Sequence, residues 1–318
     1  MKAFVLAAGL GTRLRPLTAH IPKPLTPVLN IPTLFYTVCL LKQAGITEII
    51  CNIHHHAEAI RAVVAASHLS GVQITFSEEP VILGTGGGLK KCEKLLGDED
   101  FILVNSDIVT DIDFRALVRH HQASGCPGTL TLYATPEAAA IGFVGVEGTL
   151  VKDFRNRRNT GLFSSLIYTG TAVLSPEIFR FMSPEYSSIV DTGFIGLIDN
   201  GGLSSYEHKG LWMDIGTMES YWRANLDTTG VIRNLAAPMK ITTGLYPHAI
   251  ASDAVISQGA EVTGSVIGSG CRIGAASVIR NSVLLPGVEI KPGSVIINSV
   301  LDPYSVTVME DVQQQERY

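Results

Sequence analysis

Short apolar runs alternate with amphipathic stretches through the first two-thirds of the chain. Residues 3–8 have the composition of a buried strand, residues 34–44 carry apolar side chains at helical spacing and stop at Gly45, and residues 48–53 read as the next strand. The alternation continues with a helix over 58–66, a strand over 72–77, a helix over 88–96 and a strand over 101–104 that runs out in Asn105-Ser106-Asp107. Strand, crossover helix, strand is the rhythm of a parallel sheet, so the pattern predicts an α/β fold, Rossmann-like, with a mixed, mostly parallel sheet. From 128 to 174 the runs shorten and become β-like, with helices expected over 177–182 and 219–226.

Beyond residue 248 the period changes. Apolar residues fall at Ile250, Ile256 and Val262, then Ile267, Ile273 and Ile279, then Leu284, Ile290 and Ile296, then Leu301: two steps of six and one of five, repeated. Gly264-Ser265-Val266, Asn281-Ser282-Val283 and Asn298-Ser299-Val300 recur in the same register. A hexapeptide period marks a parallel β-helix, and about three triangular coils fit. The expected division is therefore 1–232, a linker at 233–247, and a β-helix with a C-terminal tail at 248–318.

The 318 residues are 46% hydrophobic and 17% charged, with a net charge of −5, so extended binding of nucleic acid by a basic face is not expected and anions must be met locally. Five scattered cysteines match no metal-ligand spacing, and no run has the length of a signal peptide or a membrane span; a cytoplasmic protein is expected.

The local anion site suggested by the sequence is the stretch after the first strand. Gly9 and Gly11 allow turns that aim backbone N–H groups inward, Arg13 and Arg15 add fixed charge, and Pro22 and Pro24 stiffen the loop that presents Lys23. Ligands of open α/β sheets gather at the carboxyl ends of the strands, where Asp107 also falls. Asp111 and Asp113 read as turn and N-cap residues, and His54-His55-His56 cannot all point one way.

Gly-Leu-Gly-Thr-Arg-Leu-Arg-Pro-Leu-Thr from Gly9, followed by Pro-Lys-Pro-Leu-x-Pro-Val from Pro22, closely resembles the signature of the sugar-1-phosphate nucleotidyltransferases, and the C-terminal repeat is similar to the left-handed β-helix found behind many of them. The resemblance implies transfer of a nucleotidyl group from a nucleoside triphosphate to a sugar 1-phosphate, with Mg²⁺ held by Asp107 and Asp214. It implies Arg13 on the triphosphate and Lys23 near the reacting phosphates as catalytic groups. Nucleotide contacts are implied for Ala7, Ala8, Gly9, Leu10, Gly11, Thr12, Arg13, Glu79, Gly84 and Thr85, and sugar-phosphate contacts for Gly142, Asn156, Arg157 and Thr169.

At Asn156 this chain departs from the glutamate that usually binds sugar hydroxyls, and Arg157 stands in place of a lysine. Glu79 accepts hydrogen bonds only, which leans towards guanine and hence GTP with mannose 1-phosphate; uridylyl or thymidylyl transfer stays open, as does a regulatory subunit that binds nucleotide-sugar without turnover. An acyltransferase built on the β-helix is a third, weaker alternative. A homo-oligomer assembled through the β-helix is expected, with no membrane partner.

Overall fold

A computed structural model describes residues 1–67, 69–226, 230, 232 and 248–309; the expected linker at 233–247 and the tail from 310 lie outside the described residues. The chain forms two compact units that do not follow chain order. One comprises Met1–Leu10 and Thr37–Trp212, the other Gly11–Tyr36 and Met213–Tyr318.

The first unit is built on nine strands: β1 Lys2–Leu6, β2 Glu48–Ile53, β3 Gln73–Glu78, β4 Phe101–Asn105, β5 Gly128–Ala134, β6 Val144–Glu147, β7 Leu150–Phe154, β8 Leu166–Leu174 and β9 Ser204–His208. Their order across the sheet is β3-β2-β1-β4-β8-β5-β9-β7-β6. The first four are mutually parallel, as the βαβ rhythm requires, while β8 runs antiparallel to both β4 and β5. Phe4, Phe101, Leu103, Leu130, Ala172 and Phe194 are fully buried members of one apolar cluster on this sheet.

The predicted helix at 88–96 begins earlier in the structure. It runs Gly84–Lys91, with a separate turn Glu93–Leu96, because the glycines let it approach its neighbours. A Cβ on Gly84 would lie 2.5 Å from the Ser187 carbonyl oxygen, and Gly84 also has φ +69°. The expected helix at 177–182 is a 3₁₀ segment, Pro176–Phe181.

In the second unit the repeat register of the sequence appears as strand pairing. Ile256 pairs with Ile273 and Ile273 with Ile290; Val262 pairs with Ile279 and Ile279 with Ile296; Ile267 pairs with Leu284 and Leu284 with Leu301, all parallel. Gly264, Asn281 and Asn298 turn equivalent corners with φ of 56°, 46° and 47°. At the next position Ser265 Oγ accepts the Ser282 N–H at 3.0 Å and Ser282 Oγ accepts the Ser299 N–H at 3.1 Å, a serine ladder joining the coils.

The signature loop 11–36 belongs to this unit. Tyr221 and Asn225 of the helix Met218–Leu226 bond to Pro27 O and Leu29 N at 2.8 and 3.0 Å, and Asn30 Nδ2 donates to the carbonyls of His248 and Ile267 at 2.9 and 3.1 Å. Trp222 Nε1 donates to Asn281 O at 2.7 Å.

Candidate active site

In the first unit a cavity of about 240 Å³ opens at the carboxyl ends of β1, β2 and β4, lined by Leu6, Ala8, Gly9, Asn52, Ile82, Gly84, Thr85, Asn105 and Asp107. Ala8, Gly9, Gly84, Thr85 and Asp107, which the sequence singles out from three separate stretches, thus share one wall. Asp107 is held there by the turn before it: Ser106 donates both its N–H and its Oγ–H to the Leu6 carbonyl, at 3.1 and 2.7 Å. Thr85 Oγ1 accepts the Ile189 N–H at 2.9 Å, so its hydroxyl also pins the lip of the cavity.

Two expected nucleotide contacts have other work. The Ala7 N–H donates to Asn52 Oδ1 at 2.8 Å and is not aimed at a phosphate. Glu79, expected to read the base, is 1% exposed and turned into the protein. Its Oε1 accepts Asn52 Nδ2 at 2.7 Å, its Oε2 accepts the Leu83 N–H at 2.9 Å, and a Cβ on Gly88 would lie 2.5 Å from Oε1. Glu79 therefore positions the 79–83 loop instead of facing the cavity. Asn52, which sequence reasoning missed, ties both contacts together; its signal was an amide inside an otherwise apolar strand.

The second unit brings together Arg13, Lys23 and Asp214. Arg13 Nη2 lies 3.9 Å from Asp214 Oδ2, and Lys23 Nζ lies 3.9 Å from Asp214 Oδ1. These are ion-pair distances, too long for hydrogen bonds. The Lys23 side chain is only 11% exposed and rises from a 3₁₀ turn, Lys23–Leu25, framed by prolines as the sequence suggests, while Arg13 is largely open to solvent. Gly11 takes φ +63°, and a Cβ there would lie 2.9 Å from Thr18 Cγ2 and 3.2 Å from Lys23 Cβ. Gly216 leaves room around the carboxylate, since a Cβ there would lie 2.7 Å from Asp214 Oδ2. Thr12 sits in the 3₁₀ turn Thr12–Leu14, and Leu10, in the first unit, is exposed.

A second cavity in the first unit, about 290 Å³, is lined by Ile141, Gly142, Phe154, Arg155, Arg157, Tyr168, Ser188, Val190 and Asp191. Of the four residues expected to meet the sugar phosphate, Gly142 and Arg157 line this cavity. Asn156 and Thr169 do not line it: Asn156 Oδ1 accepts the Gly161 N–H at 3.0 Å within its own turn, and Thr169 is buried with Oγ1 donating to Thr131 O at 2.9 Å. A short side chain in a left-handed turn, φ +55°, satisfies the backbone nearest to it, and a threonine in the sheet interior bonds its neighbouring strand.

The turn that carries Arg155 and Arg157 is organised by Asp153, also missed in the sequence. Its carboxylate is fully buried and accepts the Arg158 N–H at 3.1 Å, the Thr160 N–H at 3.3 Å and the Thr160 hydroxyl at 2.9 Å. Burial pushes this carboxyl up, but the Thr160 hydroxyl and the backbone N–H groups more than offset it and hold it below its ordinary value.

Elsewhere the structure gives ordinary roles. Asp113 caps the helix Phe114–Ser124 through the Ala116 N–H, and Asp111 Oδ1 accepts the Leu211 N–H at 2.6 Å. Burial pushes the Cys51 thiol up to about 12 and raises Cys92 as well, so neither is a nucleophile at neutral pH. His54 Nδ1 is 2.6 Å from Glu79 O, and His56, with φ 53°, precedes the helix Ala57–Ala66. No helix among the described residues is long and apolar enough to cross a membrane.

Comparison with known proteins gives the same direction. Residues 2–230 match the model of the nucleotidyl transferase family, and residues 238–313 match the GlmU-like C-terminal hexapeptide model. The chain is 34% identical over 225 residues, 70% of its length, to the mannose-1-phosphate guanylyltransferase catalytic subunit beta of Danio rerio, and 31% identical over 270 residues, 82% of its length, to mannose-1-phosphate guanyltransferase 2 of Candida glabrata. These alignments span 62% and 73% of the relatives' own lengths. Among solved structures, a putative glucose-1-phosphate thymidylyltransferase from Bacillus anthracis superposes with a TM-score of 0.64 at 24% identity, covering 71% of this chain and 94% of that one. HddC from Yersinia pseudotuberculosis, complexed with GMP-PN, does so with a TM-score of 0.59 at 22% identity, covering 70% and 97%. At these identities the likeness is one of fold.

Proposed function

The chain belongs to the nucleotidyl transferase family, and from that membership we propose that it makes a nucleotide-sugar and pyrophosphate from a nucleoside triphosphate and a sugar 1-phosphate, with GTP and mannose 1-phosphate as the favoured pair. The observation that carries the reading is the approach of Arg13 and Lys23 to Asp214, each within ion-pair distance of that carboxylate.

The sugar phosphate is an anion at neutral pH and attacks the α-phosphorus directly, so no side chain need form a covalent intermediate. The protein's task is to neutralise two mutually repelling phosphates and hold them in line. Arg13, extended into solvent, meets the triphosphate. Lys23, nearly buried and held by its turn, keeps its ammonium beside the reacting phosphates at little entropic cost on binding. Gly9, Gly84 and Thr85 accommodate the nucleotide in the first cavity, and Gly142 and Arg157 take the sugar phosphate in the second.

Asp107 and Asp214 supply hard carboxylate oxygens, the donor type Mg²⁺ takes from proteins, and on the family reading they are the residues that would hold it. When bound there, Mg²⁺ would neutralise charge on the departing pyrophosphate. The preference for GTP is supported by the names of the relatives, Glu79 no longer contributing an argument.

We read residues 1–232 as the transferase segment and 248–318 as its scaffold, and the exposed aliphatic side chains of Val255, Val295, Ile297, Val306 and Val308 support a homo-oligomer formed through the β-helix. Buried thiols at Cys39, Cys51, Cys92 and Cys271 fit a reducing cytoplasm. The test is pyrophosphate release with Mg²⁺ across GTP, UTP, dTTP and ATP against mannose, glucose and amino-sugar 1-phosphates. GTP with mannose 1-phosphate should lead, and a preparation silent with every pair would sink the enzyme reading.

A further inference from the structure

The second cavity holds one acid with no place in the roles assigned so far. Asp191 is the one carboxylate among its lining residues, and it is paired with the Arg157 guanidinium. Both side chains remain about half exposed, at 48% and 52%. Tyr168 lines the cavity with its ring, while its hydroxyl is turned away, shielded from solvent and without a hydrogen-bond partner among the described residues. Its ring is fixed edge-on against Phe194, centroids 5.4 Å apart at 87°.

From this geometry we propose that Asp191 reads the sugar hydroxyls, and that Arg157 changes partners when the sugar 1-phosphate enters; the proposal rests on the reading of this cavity as the sugar subsite. A carboxylate only accepts hydrogen bonds, and neighbouring ring hydroxyls present the donors it lacks once its cation leaves. A phosphate dianion outbids a single carboxylate for the guanidinium and can take it in the same two-pronged geometry. Arg157 moves to the phosphate as Asp191 receives the hydroxyls, so neither charge is left unpaired in the empty or the filled pocket. The pocket thereby selects a sugar with an intact hydroxyl at the Asp191 position, and it does so with an acid remote in sequence from the Asn156 turn.

The experiment uses the full chain, GTP, Mg²⁺ and mannose 1-phosphate, with each monodeoxy analogue of that sugar phosphate. For the wild type, one analogue should be used roughly ten- to a hundredfold less well than the parent, the worth of a hydrogen bond to a charged group. Asp191→Asn should lower kcat/KM for the parent by a similar factor, leave that analogue within about twofold of its wild-type value, and leave the KM for GTP unchanged. Equal losses with the parent and every analogue would show that Asp191 merely holds Arg157, and would overturn the proposal.

If the wild type turns over no sugar 1-phosphate, the reaction assignment fails separately. Calorimetric titration with mannose 1-phosphate then decides the proposal, by binding that Asp191→Asn loses or by no binding to the wild type.

Discussion

Replacing Asp153 by asparagine changes one atom in a residue that touches no proposed substrate, yet it should disturb the sugar subsite more than most surface substitutions. The carboxylate sits fully buried behind the 154–160 turn and answers three donors, the Arg158 and Thr160 N–H groups and the Thr160 hydroxyl. Oδ2 accepts from both Thr160 groups and from Arg158, while Oδ1 accepts from Arg158 alone. An asparagine that keeps its oxygen at the Oδ2 position turns its NH₂ towards the Arg158 N–H, donor against donor. One charge-assisted bond is lost and the others weaken, which totals about 2–4 kcal/mol for a buried site.

Urea denaturation should show that loss as a lower midpoint at unchanged slope, and the KM for the sugar 1-phosphate should rise because Arg155 and Arg157 ride on the same turn. The effect carries a pH signature. The folded carboxyl lies below the ordinary value of about 3.9, so its contribution is complete above that value and disappears as pH falls through the folded one. The stability gap between wild type and variant should therefore be constant near neutrality and shrink on acidification below about pH 4. A gap under about 0.5 kcal/mol at pH 7, with an unchanged sugar KM, would refute the argument that this turn is held by the carboxylate.

Three further outcomes are expected. Asp107→Asn and Asp214→Asn should each cut turnover by on the order of a hundredfold or more with melting temperature little changed, because a metal-binding charge goes without a change of volume; near-normal turnover at saturating Mg²⁺ would count against the metal assignment. Glu79→Gln should destabilise by about 1–3 kcal/mol and weaken all nucleotides alike, since one of two buried donors loses its acceptor; a loss confined to GTP would restore Glu79 as a reader of the base. Ser282→Ala removes the acceptor of the Ser299 N–H and should cost about 1–2 kcal/mol, read by calorimetry of the whole chain; no shift would mean the coils do not depend on the serine ladder.

Much of this architecture is visible before any coordinates, and the reason differs from part to part. The strands at 48–53 and 101–105 and the coils after 248 are spelled out by apolar runs and periodicity, because burial on both faces or in a repeating coil constrains every position. The signature loop is legible through glycine and proline, whose backbone restrictions act locally. What periodicity does not carry is the destination of a polar side chain. Glu79 and Thr169 occur in stretches where the family resemblance implies ligand contacts, yet here they satisfy Asn52, Leu83 and Thr131.

Asp153 and Tyr168 were hidden for the converse reason, since an acid and a tyrosine at the margins of ordinary strands look like solvent-facing residues until their partners, or the lack of one, are known. The placement of the 11–36 loop with the β-helix depends on Asn30, Tyr221 and Trp222, bonds between residues 59 to 237 positions apart in the chain. Each residue taken singly is unremarkable in composition.

The central claim is that a sugar phosphate attacks the α-phosphorus and pyrophosphate leaves. It is tested most directly by incubating the protein with GTP, Mg²⁺ and mannose 1-phosphate carrying heavy oxygen in its phosphate, and weighing the products by mass spectrometry. The account predicts that the label appears wholly in the nucleotide-sugar and that the pyrophosphate is unlabelled. Label in the pyrophosphate, or GTP cleaved without any labelled nucleotide-sugar, would contradict it.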